Sequence, residues 1–548
     1  MSKLFTALLL LTTSYMHAQP TLVFTGYNLN TGASNHSKPH IFAKYGTKFV
    51  FSAHADATGR ELWMSNGNVS GTSLLQDIMN GSSSSYPDNF IEYKGKVIFS
   101  GQYIGCGTEL LITDGTPAGT TLLKDIYPGP AASSKAFFTN YNGKIYFISS
   151  DGIHGIELWV TDGTATGTVM VKDINSGSGS STPSELTICN GKLFFRAGDG
   201  IHGTELWVTD GTTSGTKMVK DMSVGISGGN PMVMRAVGNT LYFYANTTTE
   251  GYELWTSDGT TAGTNMIKDI FSGPISSVGD NSMLVEYNGK VYFAANDGTN
   301  ARELWVTDGT NAGTVKIKAM KPGIQSPNNN DQFCVYNNKL YFSANDGTNG
   351  VELWETDGTT AGTKMVKDLF PGALGSNPLY LTVYRRHLYF TALQANNDRQ
   401  LWVSNGTVSG TKTIAPTTTI SNPAEQTGPL FLFDVDSSLY FAASFNSNDV
   451  ELWNLKDVFD YPSNINKSLH HNNFSLYPNP NNGTFTLTLD NNNFTTGNIT
   501  VYDALGRRVH EQSITDKVQT IRLQQPAGNY WVKLQLDDAV LTKQLLVE

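Results

Sequence analysis

The stretch ELWVTDGTTSGTKMVKD (residues 205–221) decides the fold, because the chain writes it again and again. ELWVTDGTATGTVMVKD stands at 157–173 and ELWETDGTTAGTKMVKD at 352–368. Aligned on the third letter, the phrase places Trp63, Leu111, Trp159, Trp207, Trp255, Trp305, Trp354, Trp402 and Trp453 at intervals of 48 to 51 residues. Eight of the nine tryptophans in the 548-residue chain occupy this one position. A fixed period of this length is the signature of a repeat architecture.

Each period parses into strands. In NGKVYFAANDG (residues 288–298) an Asn-Gly turn feeds a Val/Tyr/Phe run that ends on an Asp-Gly turn. Such pairs suit turns that need positive φ. ELWVT follows, then the loop DGTTSGT, then the alternating KMVKD. A short run such as MLVEY (283–287) leads into the next NGK. The unit is therefore four antiparallel strands with no helical period, which is a β-propeller blade. One small sheet cannot bury both faces, but sheets packed face to face can, with the Trp and Val/Leu/Phe positions filling the space between them. The ninth unit stops after LYFAASFNSNDVELWNL (439–455), and the first is preceded by a strand-like TLVFTG (21–26). A composite blade closed by both ends predicts nine blades; an eight-bladed ring with irregular ends is the alternative.

Composition agrees with an all-β chain: charged residues make up 15% and glycines number 54. The net charge of −10 comes without any Lys/Arg cluster, so a nucleic-acid partner is not expected. MSKLFTALLLLTTSYMHAQP reads as a secretory signal over residues 1–18, with cleavage expected between Ala18 and Gln19. No other stretch approaches the length of a membrane helix, so no transmembrane segment is expected in the mature chain. Cys106, Cys189 and Cys334 are read as small buried hydrophobes rather than as a zinc site.

The phrase resembles the ELWxxDGT-repeat proteins of exported bacterial origin, over residues 61–453. Departures are local: Leu111 for Trp, Asn66 and Asn405 for the DGT Asp, Gln400 for the Glu, and Ala319 for the VKD Asp. The resemblance implies a repeat architecture and no reaction. These observations assign 19–458 to the propeller. The polar stretch 459–472 reads as a linker. In 473–548, segments such as FTLTL, ITVYD and YWVKLQL alternate as half-buried strands do, which suits a small Ig-like β-sandwich. This tail resembles the type A sorting domain of the type IX secretion system of Bacteroidetes. The match is carried by Tyr477, Pro478, Asn479, Pro480 and Gly483, by Asp503, Gly506 and Arg507, by Gly528 and Tyr530, and by Lys543. The resemblance implies passage through the periplasm and that translocon, and contact with its signal-processing machinery. The cargo is then released or linked at the cell surface.

The chemistry of the repeat is expected to be structural. Each DGT Asp (Asp114, Asp162, Asp210, Asp258, Asp308, Asp357) offers itself as a Ca²⁺ ligand, but Asp before Gly also makes an Asx turn, and a turn is needed in each unit. No cofactor is therefore expected, with Ca²⁺ the one candidate. The ELW glutamates are expected to pair with the VKD lysines as cross-strand charges. His154 and His202 are expected to be solvated on a rim. No catalytic residue and no GxSxG, HExxH or phosphate-loop motif stands out. An active centre disturbs a repeat, and this one is disturbed mostly at its ends. The reading is an exported or cell-surface binding or adhesion module for glycan or protein. Its loops HADATGR, GQYIGCGT, NTTTEGY and LQANNDR vary most and would share one face. A secreted propeller hydrolase or lyase acting on polysaccharide is the alternative, and a structural surface or matrix protein the second.

Overall fold

The computed structural model describes residues 23–27, most of 37–414, the strands at 430–435, 438–443 and 451–456, and most of 474–547. Within 37–414 it leaves out 38, 68, 134–136, 280–281, 300–301, 319–332, 385–386 and 395–398. The chain divides into two compact units, one ending at Phe459 and the other carrying the residues from Asp460 onward.

Among the described residues, the first unit contains nine four-stranded antiparallel sheets in a propeller-like arrangement. Strands are lettered a to d in each. In the fourth sheet they are Ser184–Cys189, Lys192–Gly198, Thr204–Thr209 and Lys217–Lys220, hydrogen-bonded in that order. Eight sheets are built from consecutive strands, beginning near residues 40, 88, 139, 184, 232, 285, 333 and 379. The ninth takes strands a to c from Leu430–Val435, Ser438–Ala443 and Glu451–Lys456. Its fourth strand is Val23–Tyr27, whose Gly26 pairs with Trp453. The part of TLVFTG from Val23 onward thus meets the truncated final repeat, as its position suggested.

In the second, third, fourth, sixth and seventh sheets, strands a and b are joined by two-residue turns with positive φ at both residues. Asn142 and Gly143 have φ of 50° and 70°, and Asn190 and Gly191 have 47° and 69°. Both central residues being left-handed is the requirement of a type I′ hairpin, whose twist matches that of the strands. The c strand is buried on both faces, so it reads as a continuous apolar run rather than an alternating one. Trp159 packs against Ile98 and Leu110 of the second sheet, while Leu158 and Val160 pack against Leu193 and Phe195 of the fourth. Each sheet is thereby a shared wall of two cores. Tyrosines link the walls: the Tyr93 hydroxyl donates to the Gly143 carbonyl at 2.6 Å, and Tyr141 to Gly191 at 2.7 Å.

The second unit is also all β. Phe474–Tyr477, Thr484–Leu489 and Val518–Arg522 form a three-stranded sheet. Arg508–Ile514, Gly497–Asp503, Gly528–Leu536 and Ala539–Val547 form a four-stranded one. One core joins the two sheets, with Phe485 and Leu487 meeting Ile499, Val501, Val532 and Leu545. The three cysteines are free. Cys189 is buried, but Cys106 and Cys334 are only half-buried, and the Cys106 Sγ lies 3.5 Å from Asp125 Oδ2.

Candidate functional site

Among the described residues the ELW glutamates do not pair with the VKD lysines, which corrects the expectation drawn from their charges. Glu61, Glu109, Glu157, Glu205, Glu253, Glu303 and Glu352 are fully buried. A buried carboxylate needs donors, and backbone amides supply them. Glu157 Oε2 accepts from the Ile174 N–H at 3.1 Å and from the Ser181 hydroxyl at 2.5 Å, and Oε1 accepts from the Ser181 N–H at 3.0 Å. The same set recurs in the first, second, fifth and seventh sheets, through Ser85, Ser133, Ser277 and Ser376. Each of these five glutamates thus staples the end of strand d and the loop that leads to the next sheet. The recurrent Ser, 24 positions after five of the glutamates, was visible in the sequence but carried no meaning until the fold placed it.

The VKD lysines reach across to the neighbouring sheet instead. Lys172 donates to the Thr216 carbonyl at 2.8 Å with its ammonium 5.9 Å from the centre of the Trp207 ring; Lys220 and Lys268 do the same at Thr264 and Thr314. Such a cation over an indole contributes about 0.5–2 kcal/mol.

Each described DGT aspartate closes an Asx turn. Asp162 Oδ1 accepts the Thr164 N–H at 3.0 Å and the Thr164 hydroxyl at 2.6 Å, and Asp210 and Asp258 are held alike. Asn405 makes the same two bonds to Thr407, so the turn needs the carbonyl-type oxygen and not the charge. Among the described residues, no three His, Cys, Asp or Glu side chains group to hold a metal ion.

These two carboxyl sets titrate in opposite directions. Burial pushes Glu205, Glu253 and Glu352 up to about 7. Hydrogen bonds from the neighbouring threonines hold Asp162 and Asp210 below the usual carboxylate value. A raised carboxyl favours the fold while protonated: its contribution is intact below its unfolded value near 4.5 and is lost as pH rises through about 7. A depressed one favours the fold while ionised, and its contribution is lost as pH falls below about 4. Stability is therefore expected to peak near pH 5 and to decline by on the order of 1–3 kcal/mol toward pH 8. Thermal melts from pH 4 to 8 check this; a profile that rises steadily to pH 8 contradicts it.

The loops between strands b and c share an edge with those between strand d and the next strand a, as antiparallel order requires. A Cβ built on Gly203 would fall 2.5 Å from the Ile226 carbonyl oxygen, and one on Gly152 would fall 2.4 Å from the Tyr127 ring. HADATGR, GQYIGCGT and NTTTEGY all join strands b and c; part of LQANNDR lies outside the described residues. This edge is apolar over the second to fourth sheets. Ile104, Ile153, Ile201, Val224 and Ile226 are between 53% and 90% exposed. His154 and His202 stand here but are not merely solvated. Their Nδ1 atoms lie 2.7 Å from Asp151 and Asp199, and these carboxylates raise the imidazole pKa.

In the tail, Tyr477 ends its strand 78% exposed. Gly483 adopts φ of 87°, and its N–H donates to Asn481 Oδ1 at 2.8 Å. Asp503 pairs with Tyr530, whose ring is buried and whose hydroxyl donates to the Pro526 carbonyl at 2.8 Å. Gly528 begins the long strand and Lys543 pairs with Val532. Ala18, Gln19, Pro478, Asn479, Pro480, Gly506 and Arg507 lie outside the described residues.

Residues 475–548 match the secretion system C-terminal sorting domain. That domain marks a secreted or cell-surface protein and implies contact with the secretion machinery. No curated protein sequence matches the chain. Among solved structures, puromycin hydrolase is 15% identical, with a TM-score of 0.34 over 66% of this chain and 59% of its own. Prolyl oligopeptidase B from Galerina marginata is 10% identical, TM-score 0.35, over 67% of this chain and 54% of its own. Sqt1 from Saccharomyces cerevisiae is 9% identical, TM-score 0.34, over 68% and 94%. The chain spans 59% of the length of the first of these, and likeness at this level assigns no activity. No helix of the described residues is long and apolar enough to cross a membrane.

Proposed function

We propose that residues 19–458 close into a nine-bladed ring of the ELWxxDGT-repeat kind and serve as a non-catalytic binding module, delivered to the cell surface by the tail. The pairing of Val23–Tyr27 with Glu451–Lys456 supports closure. So does the position of Leu430–Val435 beside both His40–Tyr45 and Leu379–Tyr384. The signal over residues 1–18, the linker at 459–472 and an Ig-like sandwich for 473–548 complete the reading. A signal of this kind and the sorting motif from Tyr477 to Lys543 act in sequence on one export route.

The observation that carries the binding reading is the apolar edge. Ile153 is 67% exposed, Ile201 70% and Ile226 80%, on loops of the third and fourth sheets that share one edge, the Ile201 and Ile226 loops meeting backbone to backbone at Gly203. Exposed aliphatic side chains gathered on one edge of a secreted protein mark a surface that a partner covers. Aliphatic side chains favour a protein face over a glycan, which stacks best on aromatic rings. The glutamates at 61, 109, 157, 253 and 352 are engaged in structure, which leaves them poor candidates for the acids of an enzyme of polysaccharide.

The test uses purified full-length protein and outer-membrane fractions of the producing cell. Saturable binding is expected, lost by at least about tenfold in Ile153→Lys/Ile201→Lys/Ile226→Lys, since each anchor is worth about 1–3 kcal/mol. Equal binding by the triple variant moves the ligand surface elsewhere. Release of oligosaccharide products from surface polysaccharide restores the enzyme reading.

A further inference from the structure

The fourth sheet departs from the glutamate staple. Gly229 stands where five other sheets carry the capping serine. Glu205 is 0% exposed, and its Oε1 accepts the Gly229 N–H at 2.7 Å and the Ser223 N–H at 3.4 Å. Its Oε2 has no hydrogen-bond partner, and a Cβ built on Gly229 would fall 2.9 Å from it. The Met222 amide points the same way and lowers the carboxyl's pKa, without closing a hydrogen bond of normal geometry. Two more oxygens beside this carboxyl are buried without a partner: the Oγ of Ser223, itself 4% exposed, and Asp221 Oδ1, the latter a feature shared with Asp77, Asp125, Asp173, Asp269 and Asp368 of other sheets. Glu205 on strand c and Asp221 and Ser223 after strand d thus leave two carboxylate oxygens and a hydroxyl together without donors, a combination particular, among the described residues, to this sheet, whose desolvation cost a cation would offset.

The sixth sheet shows what such a cation does. There Ala319 replaces the VKD aspartate, and Lys316 replaces the methionine that the fourth sheet carries as Met218. The two positions are in register, Lys316 opposite Trp305 and Met218 opposite Trp207. The Lys316 ammonium lies 2.6 Å from Glu303 Oε2 and 2.8 Å from Asp297 Oδ2. Glu303 and Asp297 are the counterparts of Glu205 and Asp199. The chain has therefore placed a covalent cation on the very oxygen that stands unpartnered in the fourth sheet, where the extra aspartate is kept.

We propose that the fourth sheet binds one hard divalent cation of the Ca²⁺ class through Glu205 Oε2, Asp221 Oδ1 and Ser223 Oγ. All three are oxygens, which suit Ca²⁺ rather than a softer metal. With only two carboxylates the site is weak, with Kd on the order of 10⁻⁴–10⁻³ M, in the range of extracellular modules. His202, held by Asp199, faces both carboxylates, so the titration is run at pH 8, where its imidazole is least charged. The inference stands apart from the ligand surface proposed above, since it concerns a buried staple and not the exposed edge.

The test is calorimetric titration of the full-length protein with CaCl₂, alongside Tb³⁺ luminescence sensitised by tryptophan. One Ca²⁺ per chain is expected. Ser223→Ala should weaken binding several-fold. Met218→Lys/Asp221→Ala, which copies the sixth sheet, should abolish it while circular dichroism stays unchanged. No heat and no Tb³⁺ signal up to about 10 mM overturns the proposal. So does full uptake by the double variant, which would put the ion elsewhere. Should the double variant fail to fold, an unchanged affinity in Ser223→Ala is decisive against the site.

Discussion

Removal of residues 475–548 is expected to abolish the appearance of this protein at the cell surface and in the medium of a host with a working type IX system. The truncated chain should collect in the periplasm in folded form. The matched sorting domain supplies the address. The repeat unit does not depend on it for its core, because the two units are separate compact bodies with separate apolar clusters. Fractionation with an antibody to the repeat unit reads the outcome directly. A residue-level version is Gly483→Val. Gly483 sits at φ of 87°, and an added Cβ would fall 2.7 Å from the Leu523 carbonyl oxygen. The strain of a β-branched residue there should unfold the tail locally and lower export with it. Equal export of the truncated and full-length forms would sink the assignment of the tail as an address.

The second large effect concerns stability. Glu157→Leu is expected to cost about 3–5 kcal/mol, because it leaves the Ile174, Asn175 and Ser181 amides and the Ser181 hydroxyl buried without their acceptor. Glu157→Gln should cost no more than about 1.5 kcal/mol, since one amide oxygen still accepts. The chain makes that substitution itself at Gln400 in the eighth sheet. Asp162→Asn, in the exposed turn, should stay within about 0.5 kcal/mol, as Asn405 already fills the equivalent turn with both hydrogen bonds intact. Urea denaturation of the three variants tests the ranking. A Glu157→Leu protein as stable as Asp162→Asn would mean that the buried glutamate is no staple.

The sheets were legible in the sequence because a strand's requirements are local. Asn-Gly pairs announced the a–b turns through positive φ, the DGT phrase announced the c–d turn, and a period near 48 counted the units. The tail was legible for the same reason, through short alternating runs and a motif at a fixed distance from the end. The role of the glutamate was not. Glu157 and Lys172 lie on strands that pair directly, and nothing local says that the carboxylate turns toward the amides of the next loop while the ammonium crosses to another sheet.

By itself the sequence determined the all-β class, the repeating four-strand unit and the export address, because each rests on turn chemistry, periodicity or a contiguous motif. Only the tertiary structure decided which polar groups are buried together. It turned a row of supposed cross-strand ion pairs into staples at 0% exposure, and it singled out the fourth sheet, where one serine is missing. It also gathered Ile153, Ile201 and Ile226 onto one edge. The physical reason is common to all three. The cost of burying a carboxylate and the meaning of an exposed isoleucine depend on which neighbours exclude water, and those neighbours are brought in from other parts of the chain.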